Sequence, residues 1–289
     1  SPNTYAYGTG NPVLYAGGGG GGDRDPGGSP NPGPGGGGSG GNSSNGGHGV
    51  DGTQSIGGGG GGVFGSPQAP VLRSGHGGSG TAVVRYEIGP SQVSTAKATG
   101  GNIAFRNGQT IHTFASSGTF AITDGSLTTV KCLVVGAGGG GGGGYQAGGG
   151  GAGALHYRTA EPVNPSPGSY TVTVGAAGRG ATSYGGQSET NPYLRGFTGA
   201  DSVFASLTAA GGGGGNSFNP NSEAHPGLPG GSGGGAGSNT YPATGGTGSG
   251  DSGHPGGIDV VSPPNGWGND GGATPNPYGS PYSGGGGGG

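Results

Sequence analysis

The sequence predicts a mostly irregular and β protein: a packed bundle of polyglycine-II (polyproline-II-like) helices organised by small antiparallel β-sheets or a sandwich, with essentially no α-helix. Three observations predict it. An apolar strand pattern from Val130 to Val135 passes through Gly136 and Ala137 straight into seven glycines, Gly138 to Gly144. Glycine runs of five or six residues recur along the chain at nearly the same length. Only 26% of the 289 residues are hydrophobic, too few for side-chain burial to offset an ordering cost of roughly 1–2 kcal/mol per residue.

In the strand, Val130, Cys132 and Val134 alternate with Lys131, Leu133 and Val135, the period-two pattern of a pleat rich in β-branched residues. The glycines that follow suit neither regular element, since glycine is a poor helix former and weakens strand interiors. Two states are open to such a run. One is disorder, which 89 glycines and 23 prolines without a period ordinarily signal. The other is polyproline-II-like packing, in which amides without internal partners bond a neighbouring chain. The run lengths favour packing: six residues of this geometry span roughly 19 Å, the length of an ordinary strand, and independent linkers have no reason to share it. The expected slab is marked by Gly17 and Gly22, Gly57 and Gly62, Gly138, Gly141 and Gly144, Gly211, Gly213 and Gly215, and Gly284 and Gly289. Backbone bonds worth about 0.5–1.5 kcal/mol each would hold it only as a large cooperative array.

Taken in order, residues 1–88 carry two glycine runs separated by turn-like stretches such as Asp23-Arg24-Asp25-Pro26. They close on a half-buried strand in which Ala82, Val84, Tyr86 and Ile88 share one face. Residues 89–100, polar and opening with Gly89-Pro90, read as a linker. Residues 101–210 read as the β-rich start of a second unit. There, strands over 111–115 and 119–123 flank Ser116-Ser117-Gly118 as a hairpin. The strand into glycine follows, then strands over 154–159, 170–174 and 203–208. Residues 211–289 read as a glycine-rich helical slab with loops. The two ends resemble each other, with Val13-Leu14-Tyr15-Ala16 before Gly17 and Ser280-Pro281-Tyr282-Ser283 before Gly284. That offset of 267 residues is expected to be one period of a tandem array. Starting at Ser1 and lacking methionine, the sequence is expected to be processed or cut from a longer chain.

Nine Lys and Arg against twelve Asp and Glu give a net charge of −3 with no basic cluster along the sequence, so nucleic acid is not an expected partner. No apolar run approaches the ~20 residues of a membrane helix, so membrane insertion is not expected. Gly136-Ala137-Gly138-Gly139-Gly140-Gly141 formally matches a dinucleotide fingerprint. The fingerprint needs a helix to present amides to a pyrophosphate, and polyglycine satisfies the pattern trivially, so no cofactor is expected. The six histidines have neither metal-ligand spacing nor a cysteine partner, so no metal is expected either. His112 alternates with Phe114 and reads as a packed residue hydrogen-bonded to backbone, and lone Cys132 as a buried small hydrophobe. Ser and Asp serve as turn residues throughout, so no catalytic group is assigned and the chain does not read as an enzyme.

Aromatic residues stand between the glycine runs among Asn, Ser, Pro and Gly: Tyr5, Tyr7, Tyr15, Phe218, Tyr241, Trp267, Tyr278 and Tyr282. Stiff rings in such a background resemble antibody paratopes, which makes these the candidate receptor or inter-subunit contacts. Caps over the glycine slab are the alternative role. Trp267, beside Pro263, Pro264 and Asn265 in a loop without a glycine cluster, is the first expected to make a contact.

Gly101-Asn102-Ile103, then Ile111 to Phe120, then Leu133-Val134-Val135-Gly136 into polyglycine, resembles the glycine-rich domain of bacteriophage tail fibres and receptor-binding adhesins. Tyr170-Thr171-Val172-Thr173-Val174-Gly175, the stretch from Leu207 to Gly215, and Gly78-Ser79-Gly80 running to Arg85-Tyr86 extend it. In that family the Arg-Tyr pattern closes a domain and the His-Thr-Phe stretch opens one. Here the closing pattern comes first, so the resemblance implies two incomplete tandem copies. It implies an extracellular fibre, viral or cell-surface, with self-association and host-recognition loops for a bacterial surface glycan or outer-membrane protein. Two other readings stand beside it: a filament built from tandem glycine-rich repeats without receptor specificity, and an ice-binding bundle, which the bulky Tyr and Pro residues disfavour.

Overall fold

A computed structural model describes residues 4–5, 13–23, 31–43, 46–65, 72–87, 96–144, 146–165, 168–183, 194–217, 226–237, 243–248, 266–274 and 284–288. Among them the strands are β1 (Thr4–Tyr5), β2 (Val13–Leu14), β3 (Leu72–Arg73), β4 (Thr81–Glu87), β5 (Ala98–Thr99), β6 (Asn102–Arg106) and β7 (Gln109–Phe114). They continue with β8 (Gly118–Ile122), β9 (Thr129–Val135), β10 (Leu155–Pro162), β11 (Ser169–Thr173), β12 (Thr182–Ser183), β13 (Ser202–Phe204) and β14 (Leu207–Ala209). No α-helix occurs among the described residues, so the expected mixture of irregular backbone and small antiparallel sheets is what the chain adopts.

Two five-stranded antiparallel sheets, in the orders β10-β9-β4-β7-β6 and β14-β13-β11-β8-β5, share one apolar core. Ala82, Val84, Tyr86, Phe114, Val130, Cys132 and Val134 face it from the first sheet; Ala98, Phe120, Val172, Phe204, Leu207 and Ala209 face it from the second. A run of rings crosses between the layers: Tyr86 stacks on His112 at 5.6 Å, His112 meets Phe120 edge-on at 5.1 Å, and Phe120 meets Phe204 edge-on at 5.7 Å. His112 is fully buried, with Nδ1 2.7 Å from the Gly100 carbonyl and Nε2 3.1 Å from the Tyr86 hydroxyl. The carbonyl can only accept, so Nδ1 carries the proton and Nε2 accepts from Tyr86. Burial holds the imidazole below its ordinary pKa and pushes the Cys132 thiol up.

The strand pairings correct two local expectations. The stretch Ser116-Ser117-Gly118 is not a hairpin: β7 pairs with β6 and β4, whereas β8 pairs with β11 and β5 in the other sheet. Phe114 and Phe120 both enter the core, the first from β7 in one sheet and the second from β8 in the other, so residues 115–117 carry the chain between the layers. The hairpin lies just upstream, at Asn107-Gly108, where φ values of 50° and 73° make the left-handed pair that a tight two-residue loop requires. Residues 203–208 likewise form two short strands rather than one. Ala205, at φ 51°, turns β13 into β14, with Phe204 opposite Leu207. The residues on either side of 89–100 belong to one sheet, since β4 lies between β9 and β7.

Beyond β9 the backbone bonds in a different pattern. Gly136, Gly139 and Gly142 donate to Ala154, Gly151 and Gly148; Ala137, Gly140 and Gly143 donate to Ala200, Phe197 and Leu194; Gly138 and Gly141 donate to Gly78 and Gly75. The carbonyls rotate in the same way towards three other segments: Ala137 and Gly140 accept from Gly212 and Gly215, Gly138 and Gly141 from Gly178 and Ala181, and Gly139 and Gly142 from Gly60 and Val63. Each direction thus recurs every third residue, and six neighbours surround the segment. The three acceptor segments run antiparallel to it and the three donor segments parallel. The same period ties Gly17, Gly20 and Asp23 to Gly35, Gly38 and Gly41, and Gly286 lies beside Gly19 in the same array. Backbone therefore touches backbone on every side. A Cβ on Gly141 would strike the Gly61 carbonyl, and one on Gly213 would strike that of Leu228.

The array and the sandwich are joined on the outer face of the first sheet. There Val83, Leu133, Val135, Leu155 and Tyr157 are covered by Ala16, Ala152 and Trp267. Trp267 and Leu155 exchange both backbone hydrogen bonds, at 3.0 and 3.1 Å.

Candidate binding site

The expected contact residues divide sharply. Trp267 is 2% exposed and wedged against β10, so its ring joins the array to the sheet instead of being displayed. Tyr15 is half-buried against the same cluster, and burial pushes its phenol up. Tyr5 lies in β1; Tyr7, Phe218, Tyr241, Tyr278, Tyr282 and Gly289 lie outside the described residues. The other expected slab glycines are described, and all but Gly144 are buried or sit within the bonded array. Among the described residues no group of three His, Cys, Asp or Glu stands close enough to hold a metal ion.

A cleft of about 320 Å³ opens at the end of the sandwich where β4 leaves and β9 enters. Its floor comes from register. Arg85 on β4 is the direct partner of Lys131 on β9, and Glu87 is the direct partner of Gln109 on β7. Arg85 and Lys131 alternate with the core-facing Val84, Tyr86, Val130 and Cys132, so both point away from the sandwich interior. The rim adds Lys97, whose Nζ donates to the Ser126 hydroxyl at 3.1 Å, with Thr128, Thr129 and Thr159. Asp124 anchors the turn beneath it by accepting from the Ser126 amide at 2.8 Å. That bond, the Ser126 hydroxyl and then the Lys97 charge hold the Asp124 carboxyl below its usual value.

The electrostatics of this cleft oppose those of the whole protein. Both lysines of the chain and one of its seven arginines line it, with the Glu87 carboxylate in the lining and the Asp124 carboxylate beside Lys97 and Ser126, in a protein of net charge −3. Two cations placed directly opposite each other across a strand pair repel. Sequence reading missed the cluster because residues 85, 97 and 131 are far apart along the chain, and only the β4–β9 register brings two of them side by side. A second overlooked feature is the row His48, Asp51 and Gln54. These side chains accept from the backbone amides of Arg73, His76 and Ser79, at 3.1, 2.8 and 3.1 Å. They stand in for backbone carbonyls at the margin of the array. Acceptor side chains at every third position were the available signal.

The surface also carries an exposed edge. Every residue of β6 is exposed, including Ile103 at 41% and Phe105 at 49%, which share one face of the strand.

A family model described as a glycine-rich domain matches residues 114–289, from the end of β7 onward. No curated protein and no solved structure matches the chain.

Proposed function

We propose that this chain, which belongs to the glycine-rich domain family, is a non-enzymatic segment of an extracellular fibre or adhesin, as its resemblance to bacteriophage tail fibres implies. In this reading the array is a bundle of polyglycine-II helices. The observation that carries it is the rotation of hydrogen bonds every third residue through six neighbours, the period of a polyproline-II-type helix. Such a bundle is stiff and needs no large core, which suits a spacer that holds recognition loops away from a particle or cell. The loops would recognise a bacterial surface glycan or outer-membrane protein. Neither nucleic acid nor membrane insertion has a part in it.

Adsorption decides the reading. Fluorescently labelled chain, or a particle carrying it, is expected to bind a subset of bacterial strains, and Tyr241→Ala is expected to weaken adsorption while leaving the melting temperature unchanged. Equal, negligible binding to every strain in a broad panel would sink the adhesive role. A second reading, a filament subunit without receptor specificity, is favoured by the exposed β6 edge with Ile103 and Phe105, since unprotected apolar edges pair with other chains. Concentration-dependent filaments in electron micrographs that Phe105→Lys abolishes would favour this second reading.

A further inference from the structure

We propose that the cationic cleft at the end of the sandwich binds a saccharide that carries a carboxylate or phosphate group. Three features on the molecule converge on that ligand class. The first is charge: Arg85 and Lys131 sit side by side in the β4–β9 register, and Lys97, offset by Asp124, closes the rim, all in a chain of net negative charge. An oxyanion between Arg85 and Lys131 relieves their repulsion, with the guanidinium, which also donates from Nη2 to the Tyr157 hydroxyl at 3.5 Å, supplying a held positive charge and the ammonium a point charge. The second is the rest of the lining. Ser126, Thr128 and Thr159 and the Gln109 amide present donors and acceptors suited to hydroxyl groups, while the lining is poor in apolar surface. The third is size: about 320 Å³ falls at the small end of ligand pockets, enough for one or two sugar rings and too little for an extended peptide.

Glu87 has a defined place in this arrangement. It is paired with Gln109 at the end of β4, two residues beyond Arg85, and its carboxylate repels an anion at one side of the cleft. A sugar therefore orients with its acidic group towards Arg85 and Lys131 and its hydroxyls towards Gln109 and the threonines. The inference stands apart from the adhesive reading, because it is measured on the purified chain without cells.

The test is a set of calorimetric titrations with sodium glucuronate, glucose 6-phosphate, inorganic phosphate and glucose. Glucuronate or glucose 6-phosphate is expected to bind in the millimolar range or better, and glucose to bind at least about tenfold more weakly. Raising the ionic strength should weaken the acidic sugars, since exposed charges are screened. Lys131→Gln is expected to cost about tenfold in affinity and Lys97→Gln less, both at unchanged melting temperature, whereas Glu87→Gln is expected to tighten binding. Failure of both acidic sugars to bind, or wild-type affinity in Lys131→Gln, overturns the proposal. Inorganic phosphate binding as tightly as glucose 6-phosphate overturns its saccharide part. A chain that binds glucuronate yet adheres to no bacterium leaves this inference standing and removes the adhesive one.

Discussion

The sandwich and the glycine array solve the same problem with opposite materials. In the sandwich, Phe120, Phe204 and Val172 exclude water with side chains, and the backbone needs bonds in only two directions. In the array, Gly138 to Gly143 exclude water with other backbones, and bonds radiate in six directions. A side-chain core tolerates exchanges of similar volume because neighbours repack. Between the glycine runs of the array backbone meets backbone, so a Cβ added at Gly141 or Gly213 meets a carbonyl. Glycine is selected here for its lack of Cβ, and only secondarily for its backbone freedom.

The largest loss of stability is expected of Gly141→Val or Gly213→Val. Each places a branched side chain onto a carbonyl of a neighbouring segment, Gly61 or Leu228, and is expected to cost more than about 3 kcal/mol and lower the melting temperature strongly. Wild-type melting in both variants would end the idea of a close-packed array. In the sandwich, Phe120→Ala is expected to cost about 3–5 kcal/mol, and Phe120→Leu distinctly less, because a core of side chains partly repacks. Equal losses for the two substitutions, read by chemical denaturation, would show a core as unforgiving as the array.

Acidification probes the sandwich selectively. His112 has a folded pKa below its ordinary 6.5, with burial the larger cause and the Gly100 bond opposing it. Its neutral form is therefore favoured by folding, so the contribution is present above about 6.5 and lost as pH falls from there towards the lower folded value. Melting temperatures between pH 7.5 and 4.5 are expected to decline in the wild type and to decline less in His112→Gln. Identical slopes would remove His112 as the origin.

At the margin of the array, Asp51→Ala leaves the His76 amide to water and is expected to cost about 0.5–1.5 kcal/mol, since the site is exposed. The smallest effect belongs to Gly125→Ala, where a Cβ meets nothing within 4 Å, and a change within about 0.5 kcal/mol is expected. A large loss there would break the link between the cost of a substitution and close backbone approach.

Much of the β architecture was legible because alternation is local. The strand from Val130 to Val135, the face shared by Ala82, Val84 and Tyr86, and the packed His112 all follow from side-chain order within a few residues. Misreadings came where two local signals competed. Ser116-Ser117-Gly118 offered a hairpin loop, but Asn107-Gly108 supplied the left-handed pair, and β7 and β8 pair with strands of different sheets, each bringing its phenylalanine into the shared core. Trp267 read as a display residue because its neighbours are turn formers. What buries it is the cluster on the outer face of the first sheet, where its backbone pairs with Leu155, more than a hundred residues earlier.

Local order along the chain was enough to show strands leading into glycine runs of matched length, and that no side-chain core could serve all of it. It did so because composition and alternation are properties of short segments. Long-range pairing alone settles which six segments surround residues 136–143, which layer each of β7 and β8 joins, and that Arg85 lies against Lys131. Polyglycine carries no side-chain code to distinguish one neighbour from another. Its partners are fixed by where the sandwich and the turns deliver each run, and the cationic cleft by a register that spans 46 residues of chain between Arg85 and Lys131.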